Sequence, residues 1–162
     1  MGNPEIEQWF PDILKDGYSV TSPSTPEYNC IAWAAGENTD PWDPSPILGR
    51  YWPTGIPRNK KLETFIQLYG GLGYAPCDDG QLEPGFEKIA LYTAFKQAKM
   101  EFEVTHAARQ TPSGRWTSKI GGAEDIEHKS LEGLCSMNYG TVAAFMKRRM
   151  KKKTTKNKAG RK

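Results

Sequence analysis

The chain has 162 residues, 37% of them hydrophobic and 11% aromatic, which is enough for one domain with a real core. No run of 18 or more apolar residues occurs, so no membrane-spanning helix is expected. Three cysteines, Cys30, Cys77 and Cys135, without a Cys-x-x-Cys pair argue against a disulfide framework and against a structural metal site. The net charge of +3 hides a division: from Lys147 onward there are ten basic residues and no acid, whereas residues 1–146 carry −7. A single domain over residues 1–149 with a disordered basic tail over 150–162 is therefore expected. Residues 147–162 are the part that would contact a polyanion non-specifically. The first ten residues show no basic region followed by an apolar stretch, which points to the cytoplasm or to export by a signal-less route.

In chain order, Ile6 to Phe10 and Asp12 to Leu14 read as short helical pieces. Residues 19–27 read as an extended approach because Pro23 and Pro26 disfavour helix. Asn29 is a good N-cap, and Cys30-Ile31-Ala32-Trp33-Ala34-Ala35 runs as a short helix to Gly36. Residues 38–57 hold five prolines with Trp42, Tyr51 and Trp52, an ordered loop that packs by its rings. Asn59 introduces a helix over residues 60–69, with Leu62, Phe65, Ile66 and Tyr69 on one face. The character then changes. Strands are expected over residues 86–92, 102–110, 115–120 and 139–146, with residues 125–134 left as a polar loop containing a short helix. Phe102, Val104, His106 and Ala108 alternate onto one face of the second of these strands. Helices first and an antiparallel sheet afterwards give an α+β class, with the N-terminal helices packed on the sheet.

Cys30 opens a helix, where unpaired N–H groups favour a thiolate, and it is expected to alkylate at pH 6 faster than Cys77 and Cys135. His106, one of two histidines in the chain, is the available base. Ser118, or the carboxylate of Asp125, is the group that would orient it, and the Cys30 N–H is an oxyanion donor. Trp33 and Trp116 flank these elements and could line a substrate groove. A metal site from Cys77, His128 and Cys135 lacks a metal-type spacing.

Asn29-Cys30 at a helix start, the Glu83-Pro84-Gly85 turn into a strand, and Thr105-His106-Ala107-Ala108 on the next strand resemble the papain-like fold. The likeness is to the NlpC/P60 and CHAP branch and covers residues 18–120. The runs from Tyr28 to Ala34, His106 to Gln110 and Trp116 to Gly121 are also similar to an uncharacterised bacterial domain family. The first resemblance implies a cofactor-free cysteine peptidase or amidase. Cys30 would be its nucleophile and His106 its base, with Ser118 standing where the branch places a polar residue. Tyr18 would be an oxyanion-supporting tyrosine, Asn29 would lie beside the nucleophile, and the substrate would be a peptide or protein amide. The alternative is a catalytically inactive binding module tethered to nucleic acid or another polyanion by the basic tail.

Overall fold

The structure is a computed structural model and describes residues 2–151. One seven-stranded antiparallel sheet organises the chain, and short helices dress both of its faces. In chain order the elements are helices α1 (Pro4–Trp9) and α2 (Ile13–Asp16), strand β1 (Tyr18–Ser22), helices α3 (Cys30–Ala34) and α4 (Leu62–Gly70), then strands β2 (Ala75–Cys77), β3 (Phe86–Lys96), β4 (Glu101–Gln110), β5 (Trp116–Lys119) and β6 (Asp125–His128), a 3-10 turn (Glu132–Leu134) and strand β7 (Thr141–Arg149). The strand order is β1-β6-β5-β4-β3-β7-β2.

The expected class is thereby overturned. The longest helix has nine residues and the others six or fewer, so the helices do not form a layer on which a sheet could pack. Three strands lay hidden in the sequence. The proline-flanked approach to Cys30 begins as β1, which pairs with β6, and β6 itself stands where a polar loop was expected. β2 is a three-residue edge strand on β7 and contains Pro76, which an edge tolerates. Asp125-Ile126-Glu127-His128 looks like a loop because only one of its four residues is apolar. Yet Asp125, Ile126 and His128 are all buried, since β6 lies inside the sheet.

Two cores form, one on each face. On the first face Ile31, Ala32 and Ala34 of α3, together with Phe65, Leu68 and Tyr69 of α4, pack on Ile89, Leu91, Ala107 and Met146. On the second, Ile6, Phe10 and Ile13 pack on Ala90, Tyr92, Ala108, Trp116, Ile120 and Ile126. The rings of the proline-rich segment do pack, because Trp42 and Trp52 belong to the first core. A bulge shifts the β3–β4 register between Tyr92 and Thr93, so that Tyr92 faces His106 while Thr93 faces Val104. The extra residue reverses the alternation. His106 and Ala108 share the second face, whereas Val104 joins the first core instead of sitting beside His106, and Phe102 is exposed. Lys147 and Arg148, counted within the stretch expected to contact a polyanion, belong to β7 and pair with Glu83 and Glu87. From residue 152 on, the basic tail lies outside the described residues.

Candidate active site

Asn29 caps α3 as its sequence position suggests, but its side chain does more than cap. Oδ1 accepts from the N–H groups of Ala32 and Trp42, and Nδ2 donates to the Trp42 carbonyl at 2.7 Å, clamping the proline-rich loop to the helix. This holds Cys30 against β4. The Ala107 amide, together with those of Cys30 and Ile31, is directed at the sulfur and favours its thiolate, as does the charge of Lys119. Burial outweighs all of them and pushes the thiol up to about 11. The low thiol pKa expected from the helix start is thus overturned: a five-residue helix brings too small a dipole to offset desolvation.

His106 is fully buried on the opposite face. Its ring stacks on Tyr139 with centroids 4.4 Å apart and an interplanar angle of 9°, and it meets Tyr92 edge-on. The sulfur lies at the Ala107 amide, and that amide belongs to the peptide joining His106 to Ala107. Thiol and imidazole therefore flank one peptide of β4 from the two sides of the sheet. β4 and β5 are joined by two register pairs, Arg109 with Thr117 and Gln110 with Trp116. Toward the start of β4 side chains take over the link, as His106 Nε2 lies 2.9 Å from Ser118 Oγ.

Ser118 is the expected partner, and behind it stands one the sequence reading did not assign. Ser118 Oγ lies 2.8 Å from His128 Nε2, and His128 Nδ1 lies 2.8 Å from the Ser130 carbonyl. This chain fixes where the protons are. A carbonyl can only accept, so His128 carries its proton on Nδ1 and its Nε2 accepts. The Ser118 hydroxyl must then donate to His128 and accept from His106 Nε2–H. That leaves His106 Nδ1 as a bare lone pair, and this atom is buried without a hydrogen-bond partner among the described residues. Asp16 steadies the far end, its carboxylate accepting from the Ser130 N–H at 2.8 Å and from the Ser130 hydroxyl. The signal for His128 was present in the sequence: Trp116 to Ile120 and Glu124 to His128 mirror each other about Gly121-Gly122, a hairpin that pairs Trp116 with His128.

The remaining candidates are placed elsewhere. Asp125 does not orient His106. It projects to the Cys30 face, where one oxygen accepts from the Ser22 and Tyr28 hydroxyls at 2.5 Å each and the other, Oδ1, is buried without a partner. Its register neighbour Lys119 is buried in an interior strand. Lys119 Nζ donates to the Gly121 and Ala123 carbonyls and lies 5.2 Å from the centroid of the Tyr28 ring. Burial lowers its pKa. Tyr18 is engaged far from the sulfur, accepting from Asn3 N–H and donating to Glu7 at 2.8 Å, which ties α1 to β1. Trp33 lies on the Cys30 face, donating to Thr117 Oγ1 beneath the Arg109 guanidinium, whereas Trp116 is core on the opposite face. Cys77 and Cys135 are free and half-buried, and no cluster of three metal-ligating side chains occurs among the described residues.

Burial holds both imidazoles below the ordinary histidine value of 6.5, and the like charge of His128 adds to the effect at His106. Folded pKa values depressed in this way mean that the unfolded chain takes up protons first as pH falls. The stabilising contribution is complete above about pH 6.5 and is lost below it, at about 1.4 kcal/mol per pH unit for each histidine. Urea midpoints should accordingly fall steeply between pH 6.5 and 5; a midpoint flat over that range would contradict a neutral pair.

Residues 19–147 match the model of the family described as Domain of unknown function (DUF7689). No curated protein and no solved structure matches the chain, so the papain-like likeness finds no structural neighbour behind it. The matched segment runs from β1 into β7 and takes in Cys30, His106, Ser118 and His128, and on that coverage the chain belongs to the DUF7689 family.

Proposed function

We propose that the protein is a cysteine hydrolase acting on an amide or ester carbonyl, with Cys30 as nucleophile and His106 as general base. The observation that carries this reading is the bare, buried Nδ1 of His106. A polar atom left without a partner costs about 1–3 kcal/mol, and here a three-residue chain of hydrogen bonds keeps it in the accepting form. His106 and the Cys30 sulfur flank the same peptide. The thiol is held neutral and so is the imidazole, so the proton moves during attack and no preformed ion pair is needed. In the proposed step the Cys30 side chain rotates past the His106–Ala107 peptide, its sulfur bonds to the carbonyl carbon and its proton passes to His106 Nδ1. The same proton then goes to the leaving amine or alkoxide as its bond to carbon breaks, leaving a thioester on Cys30. Water, deprotonated by Nδ1, cleaves the thioester and restores the thiol. The backbone amides of Ala107 and Cys30 point at the sulfur and stabilise the negative charge that develops on it as its proton leaves.

p-Nitrophenyl acetate tests the first half of this sequence. An acetyl group should appear on Cys30 ahead of Cys77 and Cys135, identified by peptide mass spectrometry. His106→Ala should slow its arrival by about 10²–10⁴-fold, the usual worth of a general base. Acetylation that favours Cys77 or Cys135, or that ignores His106, would leave Cys30 as a core cysteine of a binding module.

A further inference from the structure

The ring that covers His106 also lines a cavity. This cavity has a volume of about 580 Å³ and lies between α1, the β5–β6 hairpin and the segment before β7. That size is within the range of small-ligand pockets. Trp9, Phe10, Ile120 and Tyr139 give it apolar walls, and Trp9 is 44% exposed. Among the described residues the charged side chains lining it are Glu5 and Glu124, with no lysine or arginine. The same two glutamates line a second, shallower depression beside it. Glu124 is fixed by Asn3, whose Nδ2 donates to both of its oxygens, and Glu5 sits in the first turn of α1.

An aromatic-walled cavity rimmed by carboxylates suits a ligand with an apolar stem and a cationic end. We infer that this cavity binds a lysine side chain of a peptide substrate, its methylenes against Trp9 and Tyr139 and its ammonium at Glu5 and Glu124. The inference rests on the hydrolase reading only for the word substrate; the binding itself does not need Cys30. The cavity's own carboxylates supply a local negative potential that favours a cationic side chain, in a body that carries −7 over residues 1–146 against +10 beyond it. Tyr139 gives binding a route to the chemistry, because a ligand that presses on its ring presses on the stack with His106.

The test uses the full-length protein with Cys30→Ala, so that nothing turns over, and the probes N-acetyl-lysine methylamide, its norleucine counterpart and its glutamate counterpart. Saturable quenching of tryptophan fluorescence is expected for the lysine probe and should be lost in Trp9→Phe. Affinity should fall about tenfold with norleucine, which keeps the stem and drops the charge, and again with Glu5→Gln. Glu5 makes no side-chain hydrogen bond among the described residues, so its change leaves the fold intact. Equal binding of lysine and norleucine probes, or no saturation with lysine, overturns the inference. On the unmodified protein, acylation of Cys30 by p-nitrophenyl acetate without any preference for a lysine ester overturns the cavity assignment and leaves the hydrolase standing. Lysine binding without acylation does the reverse.

Discussion

Gly140→Ala should destabilise the protein by about 3 kcal/mol or more, one of the largest losses open to a single added methyl group. Gly140 has φ +72°, a region where any other residue is strained, and a Cβ built there would lie 1.9 Å from the Thr93 carbonyl oxygen and 2.9 Å from the Ala94 Cα. Both neighbours are strand backbone and cannot turn aside as a side chain could. The close approach has a purpose in the fold. Gly140 closes a tight turn with Ser136 through hydrogen bonds in both directions, and Thr105 donates to the Tyr139 carbonyl at 2.6 Å. Together these set the Tyr139 ring on His106. Urea unfolding is the measurement, with the midpoint falling at unchanged slope. Gly70→Ala is the control: it ends α4 with nothing within 4 Å of an added Cβ and should be neutral or slightly stabilising. Equal midpoints for the two variants would contradict the contact with Thr93.

Local signals carried far in this sequence where one residue decided the outcome. Asn29 as a cap, the Thr111–Gly114 turn and the existence of a strand through His106 are each settled by neighbours a few residues away, and each stands in the structure. What could not be read is long-range. The first strand was hidden because its partner is β6, a hundred residues later, and β6 was hidden because its polar residues are buried by the sheet around them. The α+β expectation failed with it, since counting those two strands and β2 turns a small sheet into the frame of the molecule. The bulge opposite Tyr92 is a further case. One extra residue in β4 decides which side chains share a face with His106, and no pattern of apolar residues announces it. Cys30 was singled out for its helix start, yet the helix contributes less than burial does. Its place in the site comes from Ala107, a residue of no chemical distinction.

His128→Leu gives the sharpest test of how the base is held, and its expected effect on acylation is a loss of about 10²–10⁴-fold with His106 itself untouched. With His128 present, Ser118 spends its one hydroxyl proton on His128 Nε2 and must accept from His106. Remove that acceptor and the Ser118 proton has one place left to go, His106 Nε2. The imidazole proton then moves to Nδ1, the lone pair there is gone, and a neutral His106 cannot take a proton at that atom. In a serine-protease triad the wrong tautomer alone costs about 10⁴-fold, so the upper end of the range is within reach. The readout that separates this from mere loosening is the ¹⁵N spectrum of the His106 ring, where Nε2 should change from the protonated to the unprotonated type and Nδ1 the reverse. His128→Gln, whose amide oxygen can still accept from Ser118, should retain the native tautomer and recover much of the rate. Acylation lost in both variants with the ¹⁵N pattern unchanged would mean that His128 serves the core and not the base. The native pattern and rate surviving in His128→Leu would mean that something other than the Ser118 relay holds the Nδ1 lone pair in place.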